Sequence, residues 1–345
     1  MLTMKWRVIV ARTLILVMAG NPVILAAHGM ERTANEHLVK QATEQREMVR
    51  MRQQLAAAQV RTAQTAAQAT APTSTGVSLA NGQQAGIKTS ANGTTVVDIA
   101  APSQRGVSHN RFNHFNVPAQ GLILNNSKDP LISVLGGWTD GNRRLTGGTA
   151  GLILAEVTGG SRSSLLGYTE VLGDAAEFVL ANPNGITCNG CGFINTPRVV
   201  LATGIPDLFN GELIGINISG GDVRIDGAGL NASNVSKFDI LTRAMQLNAA
   251  LYADELNIRT GSNYYDFRTG QVQANAEQAA GHSAYQFALD ASALGAMYAN
   301  SISLIGTEKG LGVRSDGLIN SVDSLQLSAD GKLQLKDTVA GGNLA

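Results

Sequence analysis

The residues with the most chemistry to offer are Cys188 and Cys191, set as Cys188-Asn189-Gly190-Cys191 in a Gly-rich turn. Two thiols at that spacing could hold half a zinc site, act as a redox dithiol, or close a disulfide. Zinc needs two more soft ligands, and the chain has no other cysteine. A thioredoxin-like dithiol needs a helix N-terminus in a βαβ setting, which the surrounding pattern does not provide. A local disulfide is the better reading for an exported chain. Its loop is very short, so it constrains the unfolded chain little.

A few residues upstream, Asn182-Pro183-Asn184-Gly185-Ile186 follows the apolar strand Phe178 to Leu180. Pro at the second position and Gly at the fourth suit a type I turn, so a recognition role would be built on a turn. His109 and His114 flank Arg111 in a polar stretch, without a carboxylate or third His close by, and no metal site is assigned. Gly82 to Thr89 fails the phosphate-loop spacing because Ile87 separates Gly86 from Lys88. No carboxylate pair, nucleophile elbow or HExxH motif is found, and no cofactor is expected.

The elements that must position these residues follow from composition. Among 345 residues, 15% are charged, against roughly 25% in an average soluble domain. Lys+Arg 26 and Asp+Glu 26 cancel, which argues against a nucleic-acid partner. The chain is 44% hydrophobic, too apolar for disorder. All eight prolines lie at or before Pro206, so the strongest sheet breaker is absent from the rest.

Met4-Lys5-Trp6-Arg7, Arg12 and the apolar runs to Ala27 read as a signal peptide over 1–27. Residues 31–69 are rich in helix formers, without Gly or Pro, so a helical arm and linker are expected over 28–76. From Val77, short aliphatic runs alternate with Asn-Gly, Gly-Gly and Ser turns. Later triplets such as Val223-Arg224-Ile225 and Leu256-Asn257-Ile258 have the period of two of a half-buried strand. Ile302 to Leu325 spans 23 residues (325 − 302), and Leu256 to Ile302 spans 46 (302 − 256), twice that. Ala250 to Ala253 recurs as Ala296 to Ala299 at the same 46. A repeat of 20–30 residues implies an all-β parallel β-helix. Residues 262–292 interrupt it and are expected as a hairpin or loop outside the coils, with repeats resuming over 293–345.

Several stretches then occur in an order that resembles the secretion domain of two-partner-secretion exoproteins, the filamentous haemagglutinin, haemolysin and contact-dependent inhibition proteins of Gram-negative bacteria. They are Thr95 to Pro102, Gly106 to Phe112, Phe115-Asn116-Val117, Gly121 to Ser127, Asn182 to Ile186, Gly192 to Arg198, Gly227 to Asn234 and Phe238 to Ala249. The resemblance covers roughly 77–345, with 77–261 as the secretion domain proper. It implies a right-handed parallel β-helix with an N-terminal cap. It also implies a non-enzymatic export role: POTRA domains of a partner outer-membrane transporter recognise the chain in the periplasm, and folding takes place outside the cell.

Carried over by motif, the recognition residues are Asn125, Asn126, Asn182, Pro183, Asn184, Gly185 and Ile186, and the Cys188/Cys191 pair resembles that of haemolysin-like members. One departure is clear. The family's earlier Asn-Pro-Asn-Leu motif reads here Asp140-Gly141-Asn142-Arg143-Arg144-Leu145, which puts a recognition role of that loop in doubt. The competing classes are a polysaccharide-acting β-helix enzyme and a direct host-surface adhesin. The chain ends at Ala345 just after a repeat strand and without a cap, so the natural protein is expected to continue or to be a truncated frame.

Overall fold

The structure, a computed structural model, describes residues 76–275 and 285–345. The expected signal peptide at 1–27 lies outside them, as does the arm at 28–76 apart from Gly76. Among the described residues every regular element is a strand. The chain is all-β.

Strands stack in parallel to form three ladders around one core. The first ladder runs through Thr95–Asp98, Leu122–Asn126, Tyr168–Gly173 and Cys191–Ile194. The second runs through Val107–His114, Leu152–Val157, Glu177–Ala181 and Arg198–Ala202. Both then pass into the long strands Leu230–Thr242, Leu251–Thr260, Met297–Gly306 and Ile319–Ser328, each of which spans both ladders. The third ladder holds seven strands, from Ser163–Leu165 through Ile186–Cys188 to Leu333–Leu335.

Paired residues give the length of a coil. Thr169 pairs with Phe193 (193 − 169 = 24), Leu230 with Leu251 (251 − 230 = 21), and Met297 with Ile319 (319 − 297 = 22). The 46-residue offset needs correcting. Leu256 pairs directly with Ile302, so the two lie on adjacent coils and not two coils apart. The extra length is an insertion. Asn263–Asp266 and Val272–Ala274 leave the coil as an antiparallel pair. The chain is back in the third ladder by Phe287–Ala291, inside the 262–292 segment expected to lie wholly outside the coils.

Two further insertions carry no repeat signal. Leu131–Ser133 and Gly137–Thr139 form one hairpin. Gly204–Phe209 and Glu212–Ile218 form another, which joins the Asn263 insertion in a four-stranded antiparallel sheet. At the start of the chain, Ser78–Leu79 and Gly86–Thr89 run antiparallel to the first coil strands.

Inward side chains fill the core between the ladders. Phe112, Phe115, Phe178, Phe193 and Phe238 form a column, each ring 5.0–6.2 Å from the next. Offset and edge-on contacts at such spacing add to the stabilisation from area burial. On the outer side of the second ladder, Leu154, Val179, Val200 and Leu241 are covered by Leu213, Ile216, Ile218 and Tyr265 of the four-stranded sheet. On the outer side of the first ladder, Val96, Ile123 and Leu172 meet Leu135 of the 131–139 hairpin.

Candidate functional site

The recognition residues expected from sequence are turn residues, and their side chains hold adjacent coils together. Asn182 is fully buried at the end of the Glu177–Ala181 strand. Its Nδ2 donates to Ser161 O at 3.0 Å and to Ser163 Oγ at 2.9 Å. Its Oδ1 accepts from Asn184 N at 2.9 Å, and Gly185 N donates to Asn182 O at 3.0 Å. The stretch is therefore the expected β-turn, with an Asx turn added. Asn184 is exposed, and its Nδ2 donates to Gly159 O at 2.7 Å.

Gly185 has φ +105°, and a Cβ there would meet the Arg162 guanidinium at 2.6 Å. Only glycine suits both conditions. Arg162 is fixed from the far side by an ion pair with the buried Asp222, whose other oxygen accepts from Arg224 at 2.6 Å. Ile186 is fully buried in the core, and the neighbouring Pro183 is half-buried.

Asn125 and Asn126 are also fully buried. Asn125 Nδ2 donates to Asp98 Oδ1 at 2.8 Å and to Asp140 O at 2.9 Å. Asn126 Nδ2 donates to Ala150 O and Asp174 O, both at 2.9 Å, and its Oδ1 accepts from Ala150 N at 2.7 Å. No single contact joins these residues to the Asn182 turn; each works at its own corner of the coils.

Sequence reasoning missed a further member of the set. Asn142 is buried, and its Nδ2 donates to Ile99 O at 2.9 Å and to Asn125 O at 3.0 Å. Its Oδ1 accepts from Arg144 N at 3.0 Å, and Leu145 N donates to Asn142 O at 3.3 Å. Asn142 to Leu145 thus repeats the geometry of Asn182 to Gly185, although Arg143 and Arg144 stand where the family pattern has Pro and Asn. The Asn at the head of the turn was the signal that could have found it. Asn110, Asn195 and Asn234 clamp backbone groups of neighbouring strands in the same way.

Cys188 and Cys191 are joined as a disulfide, with both residues buried in the core. His109 Nε2 lies 2.7 Å from Glu156 Oε2, an ion pair between adjacent coils when the histidine is protonated. The buried acid Asp239 is held by Arg198 at 2.6 Å. Arg198 also donates to Tyr265 Oη at 3.1 Å and lies over the Phe267 ring at 4.5 Å, tying the four-stranded sheet to the second ladder. Burial works to lower the Arg198 pKa, and Asp239 outweighs it, so the guanidinium is held charged. Burial first, then Asp239, raises the Tyr265 phenol, which stays protonated.

Comparison with known proteins adds four findings. The family described as TPS secretion domain matches residues 63–335. A protein named tRNA nuclease CdiA from Yersinia mollaretii is 43% identical over 271 residues, covering 78% of this chain and 9% of that protein. Filamentous hemagglutinin of Bordetella pertussis is 38% identical over 261 residues, covering 74% and 7%. A crystal structure of the filamentous hemagglutinin secretion domain matches with a TM-score of 0.71 and 32% identity, over 78% of this chain and all of that one. The chain spans less than a tenth of the length of these curated relatives.

Proposed function

The chain belongs to the TPS secretion-domain family, the export modules of two-partner secretion exoproteins, and from that premise we propose that POTRA domains of its partner outer-membrane transporter read it in the periplasm, before it folds. The fold then formed is a right-handed parallel β-helix. The antiparallel strands at 78–89 cap its first coil, and 77–261 is its secretion domain. It nucleates outside a Gram-negative cell and presents the remainder of the exoprotein at the cell surface or to the medium. In this division 1–27 is the leader and 28–76 an arm. The relatives named as nucleases extend far beyond the shared region, and we read the residues present here as a non-enzymatic part.

One observation carries this reading. The amide groups of Asn125, Asn126 and Asn182 are fully buried and engaged within the fold. A receptor that reads those side chains must meet them before folding. An extended chain presents them together with unpaired backbone donors and acceptors, which suits addition to a sheet edge of a POTRA domain. Folding then withdraws the same groups and makes release one-way.

The test has two arms. Deletion of 182–186 should abolish secretion through the cognate transporter, and unchanged export would sink the recognition claim. Isolated POTRA domains should capture the chain kept unfolded in urea and ignore the refolded chain. Equal capture of both states would remove the argument from burial.

A further inference from the structure

Ile132 and Val134 are 76% and 75% exposed, and Trp138, directly opposite Ile132 in the Leu131–Ser133/Gly137–Thr139 hairpin, is 58% exposed. Large apolar side chains on a surface usually stand singly. Here they share one hairpin, and the hairpin is held rigidly. The carboxylate of the buried Glu170 accepts from Ser133 Oγ at 2.6 Å and from Val134 N and Leu135 N, both at 2.9 Å. Thr94 Oγ1 and Asn92 Nδ2 donate to Leu135 O at 3.2 and 2.8 Å.

Pro130 and Asp140, the residues just outside the two hairpin strands, line a cleft of about 700 Å³. Lys88, Lys128, Arg143 and Arg144 line the same cleft, against only Asp98 and Asp140 as acids. Lys88 is engaged by Asp98 at 2.9 Å, and Arg144 donates to Gln84 O at 2.6 Å. Among the described residues, Lys128 and Arg143 have no side-chain partner. Both are exposed.

We propose that this hairpin and cleft dock the protein on an anionic lipid surface, with Ile132, Val134 and Trp138 entering the acyl boundary while Lys128 and Arg143 meet headgroup phosphates. The inference does not depend on the export reading. Exposed aliphatic side chains beside an amphipathic indole, with cations at their base, have the distribution of a peripheral membrane anchor. The high exposure of Ile132 and Val134 means that the apolar part projects and has no walls of its own. A fluid apolar phase accommodates such a shape, whereas a protein partner must supply a matched groove. The unpaired cations supply the charge complementarity, because anionic membranes attract each basic residue near their surface.

The test uses the full chain carrying Trp6→Phe, which leaves Trp138 as the only tryptophan. Because the apolar residues before Ala27 can partition by themselves, the readout is the emission of Trp138. With vesicles of phosphatidylglycerol and phosphatidylcholine, that emission should shift to the blue and be quenched by brominated acyl chains. Phosphatidylcholine alone should give far less. Lys128→Gln and Arg143→Gln should each weaken the response about fivefold. Ile132→Ser with Val134→Ser should abolish it while leaving the melting temperature unchanged, since both side chains face solvent.

Four results would overturn the proposal: no shift of Trp138 on anionic vesicles, an equal shift on neutral ones, a response that survives the charge variants, or one that survives the serine variants. If the serine variants kept full vesicle binding but lost export, the hairpin would be a protein-docking surface instead.

Discussion

The early coils and the late coils are built on the same three ladders but are buried differently. Leu122–Asn126 is buried at every position, and Glu177–Ala181 at all but its first. Leu251–Thr260 and Met297–Gly306 instead alternate between buried and partly exposed residues, and Leu333–Leu335 has no buried residue. The cause is the insertions. Two hairpins and the Asn263 strands cover the outer sides of the early ladders, whereas the late strands have only the core beneath them. The interior differs as well, because the phenylalanine column stops at Phe238 and aliphatic side chains take over. A solenoid therefore needs only its inner face to form. A second buried face is what turns part of one into a self-sufficient folding unit.

The sharpest way to break this comparison is a cavity in each half. Phe178→Ala, in the middle of the column, should cost about 3–5 kcal/mol, whereas Leu335→Ala should cost less than about 1 kcal/mol. Urea midpoints measure both, and similar losses would show that the two halves unfold as one. Next in size is Asn126→Ala. It leaves two carbonyls and one N–H without their partner, at about 1–3 kcal/mol for each group that water cannot reach. The same change at the exposed Asn300, on a late coil, should stay within about 0.5 kcal/mol.

Tyr265→Phe removes the bond to Arg198 and should cost about 1 kcal/mol. Hydrogen exchange should quicken over 177–181 and stay unchanged over 301–305, because only the former lies beneath the cover. Tyr298→Ser removes the ring stacked on Tyr252 at 5.0 Å, a loss of about 0.5–1.5 kcal/mol that should loosen the late coils alone.

The smallest effect concerns pH. Arg268 donates to both Glu212 oxygens at 2.9 Å, holding that carboxyl below its usual range. A lowered folded-state pKa contributes stability above the unfolded value, and that stability is lost as pH falls through the folded value. The thermal difference between the native chain and Arg268→Gln should therefore be present near neutrality and close on acidification.

The parallel coils were legible because period-two triplets recur at coil length, as Ile302 and Leu325 do. The early covering layers were visible only indirectly. Leu122-Ile123-Leu124 and Phe178-Val179-Leu180 are apolar throughout, as strands buried on both sides must be. Ile123 meets Leu135 of the hairpin just after it, but nothing local says what covers Val179, since Ile216 and Tyr265 come from distant insertions. The same insertion made one coil look like two in the 46-residue offset. At the candidate site, the turn at Asn182 was readable from Pro183 and Gly185. The matching turn at Asn142 was hidden because its middle residues are arginines, which leaves only the Asn at its head to mark it in the sequence.

The buried asparagines act as a parity check on assembly. Asn126 reads Ala150, and Asn182 reads Ser161 and Ser163, each between 19 and 24 residues away in the chain. A strand added one residue out of step would turn its side chains over and strand each amide away from water without the carbonyl it was written to match. Errors of registration are thereby rejected one coil at a time, with no outside proofreader and no need to consult the rest of the chain.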